Sequence, residues 1–211
     1  MKKLAAILLT GAALVVGGGA QAATLSLAEL NSPLNETSLY FTAATGVTSG
    51  VANVGSQTGT PTLAFTNLNT ASDFANGFAT IAPDTGLITS LDIVAPQGVL
   101  FNDIEFRVQG PAGNAATSVT VTAFNGTTNM GSSTIGNIGN GAQLLLASLL
   151  PGSFMTSLNI SSNGLAELKQ FQVSGLSSLP LPSAGLLFAT GIVGLGLLAR
   201  RRRKSTPTGA L

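Results

Sequence analysis

The chain has 211 residues, and only 8% of them are charged, against roughly 25% in an average soluble protein. It contains no Cys, His or Trp, which excludes disulfides, thiolate or imidazole metal ligands, and every nucleophile that relies on an imidazole base. The net charge of +1 hides a division: Lys2, Lys3 and a C-terminal cluster hold all cations but Arg107 and Lys169, so between the ends two positive charges face eight negative ones, a balance of −6. That sign excludes a nucleic-acid backbone as partner.

The N-terminus opens with Lys2 and Lys3, continues through a 13-residue apolar stretch (residues 4–16) and reaches a small-x-small site at Ala20-Gln21-Ala22. A cationic start, a short apolar core and a small-residue cleavage site describe a secretory signal peptide. Residues 1–22 are therefore expected to direct Sec export and to be removed by signal peptidase after Ala22. The absence of Cys fits an exported protein that does without disulfides.

Residues 23–178 read as one β domain rich in Gly, Ala, Ser, Thr and Asn, a composition that favours turns and short strands. Early strand candidates cover residues 38–43, 62–67, 78–82 and 87–94. In FNDIEFRV the period of two is clear: Ile104, Phe106 and Val108 point one way, and Asp103, Glu105 and Arg107 the other. SVTVTAF alternates Val119, Val121 and Ala123 against hydroxyl residues, and Asn125-Gly126 behind it is a strong hairpin signal. Residues 143–150, QLLLASLL, fit a buried strand or one short helix. Leu158 and Ile160 in MTSLNIS, and Phe171 and Val173 in KQFQVSG, continue the alternation. Roughly eight to ten short strands predict an all-β fold: an antiparallel sandwich of jelly-roll type, flanked by an N-terminal signal helix and a C-terminal transmembrane helix.

Chemistry in this middle region is sparse. Asp103 and Glu105 share a strand face, as an acid–base pair would, but Arg107 on the same face is expected to balance them at the surface. Asp73, Asp84, Asp92 and Asp103 are hard-cation ligands in type, yet no DxDxDG-like spacing organises them. Tyr40 and the phenylalanines are stacking candidates for sugars, with core packing the expected role of most. Asn35-Glu36-Thr37, Asn125-Gly126-Thr127 and Asn159-Ile160-Ser161 match the N-glycosylation acceptor pattern. No catalytic residue, cofactor or metal is expected.

The C-terminal segment is more specific. Residues 179–199 run 21 positions without a charge, enough to cross a hydrocarbon core of about 30 Å. Its ten strong apolar residues supply on the order of −3 to −6 kcal/mol for insertion, less what the interspersed Gly and Pro remove. Arg200, Arg201, Arg202, Arg203 and Lys204 then hold that end, with residues 205–211, in the cytoplasm by the positive-inside rule. Pro180 and Pro182 keep the lead-in extended, a form that protease clefts accept.

Leu179-Pro180-Leu181-Pro182-Ser183, the glycine-interrupted span and the Arg run together resemble the PEP-CTERM class of sorting signals, in the variant where V/L-P-L-P-A/S replaces Pro-Glu-Pro. The Gram-positive sortase signal has the same three parts but needs a Thr and a Gly that are missing here. The resemblance, confined to residues 179–204, implies a Gram-negative bacterium and an exosortase, an inner-membrane cysteine transpeptidase that cleaves near the Pro motif. It also implies transient anchoring in the inner membrane, then delivery to the cell surface or an extracellular polysaccharide matrix. The expected product is a non-enzymatic surface or matrix protein with a structural or interaction role. The alternatives are a carbohydrate-binding or adhesive module, a hydrolase relying on carboxylates alone, and a permanent single-pass anchor.

Overall fold

The computed structural model describes residues 24–75, 79–113 and 117–178. The signal peptide, the sorting motif at Leu179 to Ser183 and the Arg-rich stop lie outside the described residues, as does Phe78 at the head of one expected strand. Among the described residues there is no helix, and so none long and apolar enough to cross a membrane.

The described residues form sixteen strands. The first six are β1 (Ser26–Leu30), β2 (Thr37–Phe41), β3 (Ala44–Val47), β4 (Gly50–Val54), β5 (Thr62–Thr66) and β6 (Ser72–Ala75). Next come β7 (Thr80–Pro83), β8 (Ile88–Val94), β9 (Val99–Leu100), β10 (Asp103–Gln109) and β11 (Thr117–Asn125). The last are β12 (Thr128–Ile138), β13 (Gln143–Ser148), β14 (Ser157–Leu165), β15 (Glu167–Ser174) and β16 (Ser177–Ser178). All pairings are antiparallel, and one hydrogen-bonded path runs β1-β13-β10-β15-β2-β4-β5-β8-β14-β11-β12. Its two ends, β1 and β12, lie against each other, so the path nearly closes into a barrel. A branch, β3-β6-β7, joins the path where Ile81 meets Leu168 of β15.

The alternating strands place their apolar rows inside. Ile104, Phe106 and Val108 of β10, Val119, Val121 and Ala123 of β11, Leu158 and Ile160 of β14, and Phe171 and Val173 of β15 are all buried. Residues 143–148 of the ambiguous QLLLASLL form β13, paired on both edges by β1 and β10. Five phenylalanines meet at the centre: Phe41 packs edge-on against Phe65, Phe74 and Phe171, and Phe106 stacks on Phe171. The fit around them is close. A Cβ on Gly50 would lie 2.6 Å from the Phe74 ring, so only glycine lets β4 run there.

The hairpin between β11 and β12 forms where Asn125-Gly126 predicts it, one residue out of place. Asn125 is the last paired residue, opposite Thr128, and Gly126-Thr127 make the loop. Gly126 has φ +59° and Thr127 is not left-handed, the pattern of a II′ rather than an I′ turn.

β2 determines the shape of one side. Thr37 and Ser38 pair with Val173 and Gln172 of β15, whereas Leu39, Tyr40 and Phe41 pair with β4. The strand therefore leaves one neighbour for another at its midpoint, and a fork opens between β2 and β15.

Candidate functional site

The fork is widened by a bulge in β15. Glu105 of β10 faces Gln172, while Arg107 faces Lys169, so β15 carries one residue more than β10 between these pairs. The extra length is absorbed at Gln170, whose φ is +55°. This is the bulge position that glycine normally takes, because a Cβ is crowded in left-handed backbone. On the edge facing the fork, residues 169–171 pair with neither β2 nor β7.

A cleft of about 400 Å³ occupies this gap, within the ~300–1,000 Å³ range of small-molecule sites. Tyr40 and Ser38 line it from β2, Gln170 and Gln172 from β15, Arg107 from β10, and Pro33 from the loop that precedes β2. Phe171 forms part of its wall and belongs to the phenylalanine cluster of the core. Arg107 does not balance Asp103 and Glu105 as its position on the strand suggests: the one ion pair among the described residues joins Lys169 to Glu167. Its Nε is buried and has no hydrogen-bond partner. An unmet buried donor costs about 1–3 kcal/mol, more where charge is involved.

Next to the cleft, the carboxylates of Glu36, Asp103 and Glu105 come together. Glu105 is 1% exposed. The loop before β2 runs past it, and the Leu34 amide donates to its Oε2 at 2.9 Å. Ser174 donates its hydroxyl to Asp103 Oδ1. Three acceptor oxygens remain buried without a donor: Glu36 Oε2, Glu105 Oε1 and Gln172 Oε1. A proton is the simplest donor such a cluster can acquire. Burial first, then the charge of Asp103 beside it and more weakly that of Glu105, push the Glu36 carboxyl up to about 7 from 4.5. Asp103 and Glu105 thus do not form an open acid–base pair, since Glu105 is sealed and one of its oxygens is engaged.

Of the other residues singled out in the sequence, Asp73 and Asp84 come within hydrogen-bonding reach of each other away from the cleft, and the rest are dispersed. Asp92 accepts the amides of Asn67 and Asn159, which ties the third glycosylation-like asparagine into the sheet. Asp73 accepts the Gly46 amide at 3.1 Å. Among the described residues no three acidic side chains are arranged to hold a metal ion. Among the described residues six phenylalanines are fully buried, Phe171 in the cleft wall included, and Tyr40 is the partly exposed aromatic residue at the cleft. The glutamines, Ser38 and Pro33 were not marked by any motif. They reach one place because strands distant in sequence become neighbours, and the strain at Gln170 has no residue signature.

Compared with known protein-family models, with curated proteins and with solved structures, the chain matches none.

Proposed function

We propose that this chain is an exported, non-enzymatic protein of the cell surface or extracellular matrix, and that its β domain is a glycan-binding interaction module. The observation that carries the binding reading is the cleft in the β2–β15 fork. It combines an aromatic ring, Tyr40, with two amides and a guanidinium whose buried Nε has no acceptor. Polyhydroxylated ligands use this mixture: the ring packs on a sugar face and the fixed polar groups read hydroxyls. The noncatalytic reading is supported by the enclosure of Glu105, which takes it out of the acid–base pair with Asp103 that the sequence offers. The fine architecture fits a sandwich of jelly-roll type, with β2 passing from one sheet to the other and the phenylalanines filling the space between.

Export and sorting belong to the same proposal, supported by the sequence of residues 1–22 and 179–204. Signal peptidase would cleave after Ala22, and exosortase would recognise Leu179 to Ser183 before the Arg200–Lys204 stop is discarded. The mass of the mature protein from its native host tests this. Loss of residues 200–204 is expected, and their retention in an exosortase-bearing cell overturns it. For the binding module, a glycan array probed with the full chain is expected to show binding that Tyr40→Ala weakens at least tenfold. An array blank for the wild type removes the reading.

A further inference from the structure

We infer that the glycan taken by the cleft is acidic, a sugar whose carboxylate is read by Arg107. This rests on the glycan-binding reading above and adds the ligand's charge. Among the described residues the two cations differ in their surroundings. Lys169 is paired with Glu167, whereas Arg107 has no ion pair and a buried Nε without an acceptor. A guanidinium presents its donors as a planar fork that matches a carboxylate in two parallel hydrogen bonds, a match that a single hydroxyl does not make. Around it the cleft offers groups suited to the rest of a sugar. Gln170 and Gln172 supply amides that both donate and accept, Ser38 a hydroxyl, and Tyr40 a ring with a polar tip. A ligand with one carboxylate and several hydroxyls, as in a uronic acid residue, meets each of these demands.

The surrounding charge sharpens the inference. The region between the two chain ends carries −6, so an anionic polymer gains nothing from long-range attraction, and the Glu36, Asp103 and Glu105 carboxylates next to the cleft oppose it locally as well. Binding of an acidic glycan must then come from a local contact, and Arg107 is the unpaired cation at hand.

Isothermal titration of the full chain with a short oligogalacturonate and with an uncharged glucan oligomer of the same length tests this. The acidic oligomer is expected to bind at least tenfold more tightly. In Arg107→Gln that preference should collapse towards unity, and Arg107→Lys should keep only part of it because an ammonium lacks the fork. Equal affinity of the wild type for both oligomers overturns the charge assignment and leaves the glycan reading standing. Binding of neither overturns both.

Discussion

Two stretches of the same wall carry polar outer faces and treat them in opposite ways. Across β8, β14, β11 and β12 the polar side chains answer one another. Asp92 accepts from Asn67 and Asn159, Thr120 meets Thr134 at 2.8 Å, and Thr122 donates to Ser132 at 3.0 Å. Across β10, β15 and β2 the polar side chains close only in part: Ser174 donates to Asp103 and Lys169 pairs with Glu167, but other groups are left over. That face holds the orphaned Arg107 Nε, three buried acceptors without donors and, where the other face places asparagines (Asn67 and Asn137) in left-handed backbone, a glutamine. Both faces have the same supporting core and similar strand geometry, so the contrast is not a general property of a polar sheet. Unmet groups and backbone strain persist where the surrounding fold imposes them, and they concentrate at sites that act on something else.

The largest expected effect breaks the closed face. Asp92→Ala leaves the Asn67 and Asn159 amides without their acceptor, and we expect a loss of about 1–3 kcal/mol in chemical denaturation. Glycan affinity should not change, because Asp92 is absent from the cleft lining. A parallel loss of binding would show that the two faces are coupled and that their separation is wrong.

The contrast also explains what the sequence made legible. Strands whose outer residues are polar and inner residues apolar announce themselves by alternation, and β10, β11, β14 and β15 could be read directly. β12 could not: TNMGSSTIGNI is Gly-, Ser- and Asn-rich, mostly exposed along its length, and its pairing with β11 is settled by the hairpin and cross-strand hydroxyls rather than by an apolar row. β3, β4 and β6 are short and were hidden for a related reason. The cleft was less visible still. Glu36 meets Glu105 across 69 positions of sequence, Ser38 meets Gln172 across 134, and no local spacing encodes either contact. Asp103 and Glu105 were recognised as sharing a face. Their fate depended on the loop that buries one of them, and a loop's path is not written in strand periodicity.

A smaller effect probes the unclosed face through its proton. The folded-state value of Glu36, about 7, lies above the ordinary 4.5, so the folded protein binds this proton more tightly than the unfolded chain. Its stabilising contribution is complete below pH 4.5 and is lost as pH rises through 7. Glu36→Gln, which keeps the shape and removes the charge, should overtake the wild type across that window. The advantage should level off above pH 7 at on the order of 1 kcal/mol, once solvent screening of a partly exposed carboxyl is allowed for. Denaturant midpoints at pH 4.5, 6 and 8 measure it. Parallel curves for the two proteins would mean that the three carboxylates do not interact as their placement requires.

The smallest effect is a gain. Gln170 pays for its left-handed φ of +55° with a crowded Cβ, and Gln170→Gly removes that crowding while restoring some freedom to the unfolded chain. The net result should be a rise of up to about 1 kcal/mol, or roughly 2–4 °C in Tm for a domain of this size. A strained residue that served only the fold would make the substitution beneficial in every assay. A residue held there to present its amide to a ligand should make it costly in one: the glycine variant should melt higher and bind its glycan more weakly. If stability rises and affinity is untouched, the bulge shapes the fork and the Gln170 side chain has no part in recognition. If stability falls, the strain read from the backbone is offset by contacts of the Gln170 side chain, and the unclosed face is better satisfied than its orphaned atoms imply.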